Sequence, residues 1–209
     1  VKILYAEEVS QVLGQEEVSG VVLKDGTNIP CDIIIIGIGV SCPLEWLAAS
    51  GLEVGHGILA NEYLETSLPD VWAAGDAAEF NDLILGERLQ LGNWVNAQVQ
   101  GRVAGANMAG QRQPFRIVSF YTTQGFGITI AFVGDVRPEG GRMIIPRGSP
   151  ESGSYGRIIV KDGEVIGATL ISRTVELAAI SKMIEKGVKV AGREKELADP
   201  NFDLKTLLK

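Results

Sequence analysis

The chain has 209 residues, 45% hydrophobic and 22% charged, with 19 basic against 26 acidic side chains and a formal charge of −7. That balance describes a globular chain able to bury a core without disulfide staples, and its acidity argues against nucleic acid and anionic membranes, which attract cationic faces. Cys31 and Cys42 stand too far apart for a CxxC pair, His56 alone leaves little for zinc, and the longest apolar runs, Ile33 to Ile36 and Ile128 to Val133, fall far short of a membrane span.

Val1 opens directly into strand-like sequence with no start signal, which reads as the middle of a longer protein. Residues 1–36 read as a β-meander. "VKILYAEEVSQVLG" and "VSGVVLKDGTNIP" alternate polar and apolar residues, and Asp25-Gly26 signals a hairpin. "CDIIIIGIG", Cys31 to Gly39, is a continuous β-branched run ending in glycines, the pattern of a strand buried on both faces of a parallel sheet. "PLEWLAASG", Pro43 to Gly51, is expected as a short helix with proline in its first turn and glycine at its stop.

From Gly57, "GILAN" and "DVWAAGD" are expected strands and Glu79 to Leu91 a polar loop. "GNWVNAQVQGRVAGANMAG" then makes a long helix, with Trp94, Ala97, Val99, Ala104 and Met108 as its apolar contacts. Gln111 to Pro114 reads as a linker. Beyond it the character changes to several antiparallel strands, with a hairpin turn at Asp162-Gly163. "TVELAAISKMIEKG" is an amphipathic helix, with Thr174 as N-cap and Leu177, Ile180 and Ile184 on one face. "FDLKTLLK" closes the chain with a short helix. The charge runs "REKELAD" and "EEVSQ" read as solvated faces.

The stretch that points to chemistry is "PDVWAAGDAAEF", Pro69 to Phe80. An apolar strand runs into Gly75 and Asp76, with alanines on both sides. The glycine lets a ligand approach the main chain. The carboxylate accepts hydrogen bonds from sugar hydroxyls, worth roughly 1.5–3 kcal/mol each when charge-assisted. Taken alone, "AGDA" reads as a turn capped by an aspartate.

In context, "TSLPDVWAAGDAAE", Thr66 to Glu79, resembles the second flavin motif of the pyridine nucleotide–disulfide oxidoreductase superfamily, with Thr66, Val71, Trp72, Ala73, Gly75 and Asp76 in the motif positions. The resemblance implies that Asp76 binds the ribityl chain of FAD, with Gly75 and Ala77 beside it. "DGTNIPCDIIIIGIGVSCP" resembles the segment that ends the family's NAD(P)H domain, and this implies that Gly37, Ile38 and Gly39 lie near the nicotinamide nucleotide. As residues alone, they fit a strand-to-helix turn equally well. "LGNWVNAQVQGRVAGANMAG" resembles the helix after the flavin motif in NADH oxidases, rubredoxin reductases and nitrite-reductase-like members. There Gly92, Asn93 and Trp94 are the candidates to meet the flavin's pyrimidine edge, where free N–H groups and the positive end of a helix dipole suit negative charge. Trp94 is equally readable as core.

The resemblance implies an α/β fold with an α+β C-terminal part: incomplete Rossmann-like FAD and NAD domains followed by an antiparallel-sheet interface domain. The implied divisions are 1–56 for the end of the NAD(P)H-binding domain, 57–114 for the end of the FAD-binding domain and 115–209 for an interface or dimerisation domain. The family's N-terminal GxGxxG and its redox cysteine pair are not in this sequence, nor is a C-terminal His-Pro dyad. This points to the ferredoxin-reductase, NADH-oxidase or nitrite-reductase branch. Cys42, before Pro43 at an expected helix start, is read as a small packing residue, with a reactive thiolate as the alternative. Cys31 is read as inert.

The functional expectation is a flavin-dependent NAD(P)H oxidoreductase in which NAD(P)H gives hydride to FAD and electrons pass to an acceptor of unknown identity. The cofactor carries the chemistry, and no residue stands out as acid, base, nucleophile or metal ligand. The expected partners are the N-terminal part of the same protein, the nicotinamide nucleotide, the acceptor and a second copy in a homodimer. Few cysteines and no secretory pattern suit the cytoplasm. The alternatives are an inactive fragment serving only as a structural or dimerisation module, and a nucleotide-binding module from another superfamily.

Overall fold

The computed structural model describes residues 1–47 and 49–208 and falls into two units, Val1–Ser41 and Cys42–Lys209. In the first, β1 (Val9–Gly14), β2 (Val18–Leu23) and β3 (Asn28–Pro30) form an antiparallel sheet in the order β1-β2-β3. The β2–β3 turn is the expected one. The Asp25 carboxylate accepts the Thr27 N–H at 2.8 Å, and the Gly26 N–H donates to the Leu23 carbonyl at 3.0 Å.

The run that follows departs from its sequence pattern. Cys31 to Gly39 forms no strand, and Ile33, Ile35 and Ile36 are 79%, 93% and 70% exposed. A parallel strand needs a neighbouring backbone to hydrogen-bond, and among the described residues no strand pairs with this segment.

The second unit begins with a single 3₁₀ turn, Glu45–Leu47, where a longer helix was expected. Ala48, within that expected helix, lies outside the described residues. A small mixed sheet follows: β4 (Ile58–Ala60) runs parallel to β5 (Ala78–Asn81), which pairs antiparallel with β6 (Arg88–Gln90). The expected strand Asp70–Asp76 is displaced. Among the described residues Trp72 makes a single bridge, to Glu65, and the strand itself starts after the Gly-Asp turn, at Ala78, and runs into the expected polar loop. The short, charged β6 is the reason: Arg88, Leu89 and Gln90 carry little strand signal but pair with Asn81, Phe80 and Glu79. Thr66 closes the intervening loop, since its N–H and its hydroxyl both donate to the Val71 carbonyl, at 3.0 and 2.9 Å.

Helix α1 (Trp94–Met108) is where the long helix is expected; of its expected apolar contacts Ala104 and Val99 meet the local core, whereas Trp94 and Met108 do not. Asn96, Gln100, Ala104 and Asn107 are its buried residues, while Trp94 and Met108 are 75% and 64% exposed. Spacings of three and four residues put those amides on one side. Each finds backbone to bond: Asn107 Nδ2 donates to the carbonyls of Tyr63 and Gln113, at 2.8 and 3.0 Å, which pins the segment before Phe115. Phe115, Phe80, Leu64, Ala78 and Ala104 form the local apolar core.

The C-terminal sheet is antiparallel: β7 (Phe120–Gly125), β8 (Ile128–Gly134), β9 (Met143–Arg147), β10 (Tyr155–Lys161) and β11 (Glu164–Ile171), in the order β7-β8-β11-β10-β9. Asp162 and Gly163 join β10 to β11 with φ of 52° and 79°, the pair of positive φ values of a type I′ hairpin turn. Helix α2 (Leu177–Lys186) buries Ala179, Ile180, Met183 and Ile184 in a core shared with Val133, Ile158, Ala168 and Leu170. Thr174 is not its N-cap. Thr174–Glu176 is a 3₁₀ turn leading in, and no side chain caps α2, because Glu176 is drawn instead to Arg147 and Arg173. Helix α3 (Glu194–Ala198) forms within the "REKELAD" run and buries Leu197, so that run is only partly a solvated face. The final helix is a 3₁₀ segment, Leu204–Leu208, with Leu204 and Leu207 inward.

Candidate functional site

The Gly-Asp turn is built from the smallest side chains the chain can offer. Ala74 is extended, at φ −146° and ψ 153°, and Gly75 then swings to φ +80° to open the 3₁₀ turn Gly75–Ala77. A Cβ at Gly75 would make ordinary contact with Ala97 at 3.6 Å, so conformation rather than space requires the glycine. Two amides hold the turn. Gln100 Oε1, fully buried on α1, accepts the Gly75 N–H at 2.6 Å, and Gln90 Nε2 donates to the Asp76 carbonyl at 2.7 Å. The Asp76 carboxylate is thereby presented on an exposed residue, and it accepts no hydrogen bond among the described residues.

Gly92 meets this carboxylate from the other side. A Cβ placed on Gly92 would lie 3.5 Å from Asp76 Oδ2. Asn93 is extended and caps α1, its Oδ1 accepting the Asn96 N–H at 2.8 Å while its Nδ2 donates to Ser119 Oγ at 3.0 Å. Trp94 and Val95 begin the helix, so their N–H groups have no intrahelical acceptor. Gly75, Asp76, Ala77, Gly92, Asn93 and Trp94 therefore converge on one place: an exposed carboxylate next to the electropositive end of a 15-residue helix. Gly37, Ile38 and Gly39 lie in the first unit, in exposed chain without regular structure, and a Cβ on either glycine would meet nothing within 4 Å.

A cavity of about 350 Å³ adjoins Gln90, Gly92 and Asn93. Tyr121 and Phe132, stacked at 4.6 Å and 18°, line it with Asp82. Burial pushes the Asp82 carboxyl above its usual range, against the Leu85 and Ile84 N–H groups that donate to its Oδ1 at 2.6 and 2.9 Å. Among the described residues no group of three metal-ligating side chains is found, and no helix is long and apolar enough to cross a membrane.

Residues 1–101 match the family model for the pyridine nucleotide-disulphide oxidoreductases, and residues 120–208 match the model for the reductase C-terminal domain. Among similar curated proteins is the ferredoxin reductase subunit of 5,5'-dehydrodivanillate O-demethylase from a Sphingobium species, 32% identical over 92% of this chain and 46% of that protein. Another is the ferredoxin–NAD(+) reductase component of the biphenyl dioxygenase system of Paraburkholderia xenovorans, 32% identical over 94% of this chain and 47% of that protein. The chain spans about half the length of these relatives. A crystal structure of the ferredoxin reductase for the CYP199A2 system of Rhodopseudomonas palustris superposes with a TM-score of 0.87 at 28% identity, covering 100% of this chain and 51% of that one.

The turn, the helix start and the amides behind them form one constellation. Sequence reasoning found the turn and the helix start but missed Gln90, Asn96 and Gln100. The available signal was amide spacing: Asn93, Asn96, Gln100 and Asn107 recur at three, four and seven residues in a helix with no strong apolar stripe.

Proposed function

We propose that this chain forms part of a flavin-dependent NAD(P)H oxidoreductase. Residues 1–56 would end its NAD(P)H-binding domain, 57–114 would end its FAD-binding domain, and 115–209 would form its interface domain. The observation that carries the reading is the meeting of Asp76 with Gly92 and the α1 N-terminus, in a chain whose matches lie within this family. The residues present suit FAD. Asp76 offers unengaged carboxylate oxygens to ribityl hydroxyls, Gly75 and Gly92 leave the main chain open to close approach, and the free N–H groups of Trp94 and Val95 suit the electron-rich pyrimidine edge. Bound FAD supplies the hydride acceptor and the route for electrons onward. The protein's part is to bind, orient and shield it. Gly37, Ile38 and Gly39 are proposed to border the nicotinamide nucleotide.

The acceptor is proposed to be a ferredoxin-type protein, as the names of the Sphingobium and Paraburkholderia relatives say of those proteins. The reading extends to a cytoplasmic homodimer. A second reading concerns the 209-residue chain by itself, as a structural or dimerisation module without hydride transfer. The unpaired, exposed run from Ile33 to Gly39 favours it.

The test is a titration of the purified chain with FAD, followed by flavin fluorescence and by visible absorbance after gel filtration. Saturable quenching with retained yellow colour supports the flavin site. A chain that neither quenches nor retains FAD contradicts it.

A further inference from the structure

We propose that Gln100, seconded by Asn96, is the positioning residue of this site: its side-chain amide sets the Gly75–Asp76 turn that presents the carboxylate. This rests on the flavin reading above. Gln100 is fully buried, and the group it bonds is the main-chain N–H of Gly75, which adopts φ +80°. That N–H begins the turn. Losing its acceptor would free Gly75 to return to the extended conformation of Ala74, and the Asp76 side chain would then leave Gly92.

Asn96 acts one turn earlier on the same face. It is 1% exposed, and its Nδ2 donates to the Leu91 carbonyl at 2.9 Å, which fixes the peptide leading into Gly92. One helix face therefore grips both walls of the cradle, Gly75 through Gln100 and Gly92 through Asn96. Each amide also keeps one buried atom without a partner among the described residues, Gln100 Nε2 and Asn96 Oδ1. A buried unpaired amide costs free energy, so packing alone does not account for glutamine and asparagine at these positions. Leucine would fill the same space without the orphaned atoms. The hydrogen bond to the turn is what distinguishes the amide.

The test compares Gln100→Leu, Gln100→Glu and Gln90→Leu in the 209-residue chain, with two readouts. The first is hydrogen exchange at the Gly75 amide, read without flavin by NMR. The second is the FAD dissociation constant from fluorescence titration. Circular dichroism and the urea midpoint report whether each variant is folded. The expected result is Gly75 exchange at least tenfold faster in Gln100→Leu, FAD affinity at least tenfold weaker, and both restored in Gln100→Glu, which keeps an acceptor oxygen. Gln90→Leu, which removes the other hold on the turn, is expected to weaken FAD binding with less effect on Gly75 exchange.

If Gln100→Leu folds and leaves Gly75 exchange unchanged, the positioning role is overturned. It is equally overturned if exchange accelerates but FAD affinity stays at the wild-type value. Should Gln100→Leu not fold, Gln90→Leu and Gln100→Glu decide: loss of FAD affinity in Gln100→Glu with wild-type exchange contradicts the proposal. Failure of the flavin reading shows separately, as absence of FAD binding by the unsubstituted chain.

Discussion

Replacing Asp135 with asparagine is expected to be among the most destabilising single changes outside the apolar cores. Asp135 sits at the end of β8 with its side chain only 4% exposed. Its Oδ1 accepts the Arg137 N–H at 3.0 Å and Arg137 Nε at 2.8 Å, while Oδ2 accepts Arg137 Nη2 at 2.7 Å and both Nε and Nη2 of Arg142. Burial pushes this carboxyl up, but the hydrogen bonds from Arg137 and Arg142 outweigh it and hold the pKa down from 3.8 to about 2. At roughly 1.4 kcal/mol per unit, that depression corresponds to about 2.5 kcal/mol of stability. The substitution also strands Arg142, whose side chain is 8% exposed, leaving Glu87 at 3.6 Å as its remaining charge partner among the described residues. Breaking one side of a buried pair costs about 3–5 kcal/mol, so a loss of roughly 2–4 kcal/mol is expected at pH 7.

The pH dependence gives the sharper check. A depressed carboxyl contributes its stability above the unfolded pKa, and that contribution fades as pH falls from 3.8 through about 2. Urea unfolding of wild type and Asp135→Asn, followed by circular dichroism at pH 7, 3.5 and 2.5, should show a gap that narrows with acid. A gap below about 0.5 kcal/mol at pH 7, or one that stays constant down to pH 2.5, would show that the ionised Asp135 carboxylate does not stabilise the fold.

Arg147→Met is expected to lower stability by about 3–5 kcal/mol in urea unfolding. Arg147 is 1% exposed, pairs with Glu176, and donates to the Leu197 and Phe202 carbonyls at 3.0 and 2.8 Å, so it ties the C-terminal segment to β9. Gly75→Ala should cost about 1 kcal/mol through strain at φ +80°, since the space beside Ala97 accepts a methyl; an unchanged urea midpoint would show that the turn does not hold this conformation. Ile35→Ser in the 209-residue chain should shift the urea midpoint by less than 0.5 kcal/mol equivalent, because Ile35 is 93% exposed.

Much of the fold was legible where local pattern and tertiary context agree. The Asp25-Gly26 and Asp162-Gly163 hairpins carry their own turn chemistry, and α2 shows its apolar face at Ile180 and Ile184. The misreadings have a common cause. The run at Ile33 to Ile36 reads as a buried strand because periodicity reports what a segment is suited to, not whether a partner strand lies beside it. In the same way the apolar residues expected to pack α1 include Trp94 and Met108 beside Ala97, Val99 and Ala104; Val99 and Ala104 do meet the core, but backbone hydrogen-bonding needs at Gly75, Leu91 and Gln113 draw the amides inward and leave Trp94 and Met108 outside. At the candidate site, Asp76 and Gly92 stood out through motif resemblance. Gln90 and Gln100 did not, because nothing local marks a glutamine whose partner is a main-chain group 14 or 25 residues away.

If the Asp76–Gly92 cradle receives the flavin, FAD affinity must differ between wild type and Asp76→Ala. Asp76 is exposed and its carboxylate bonds nothing among the described residues, so the substitution should leave the urea midpoint unchanged. Loss of charge-assisted hydrogen bonds worth roughly 1.5–3 kcal/mol should weaken FAD binding by about tenfold to a hundredfold. Equal FAD affinity in wild type and a folded Asp76→Ala would contradict the account.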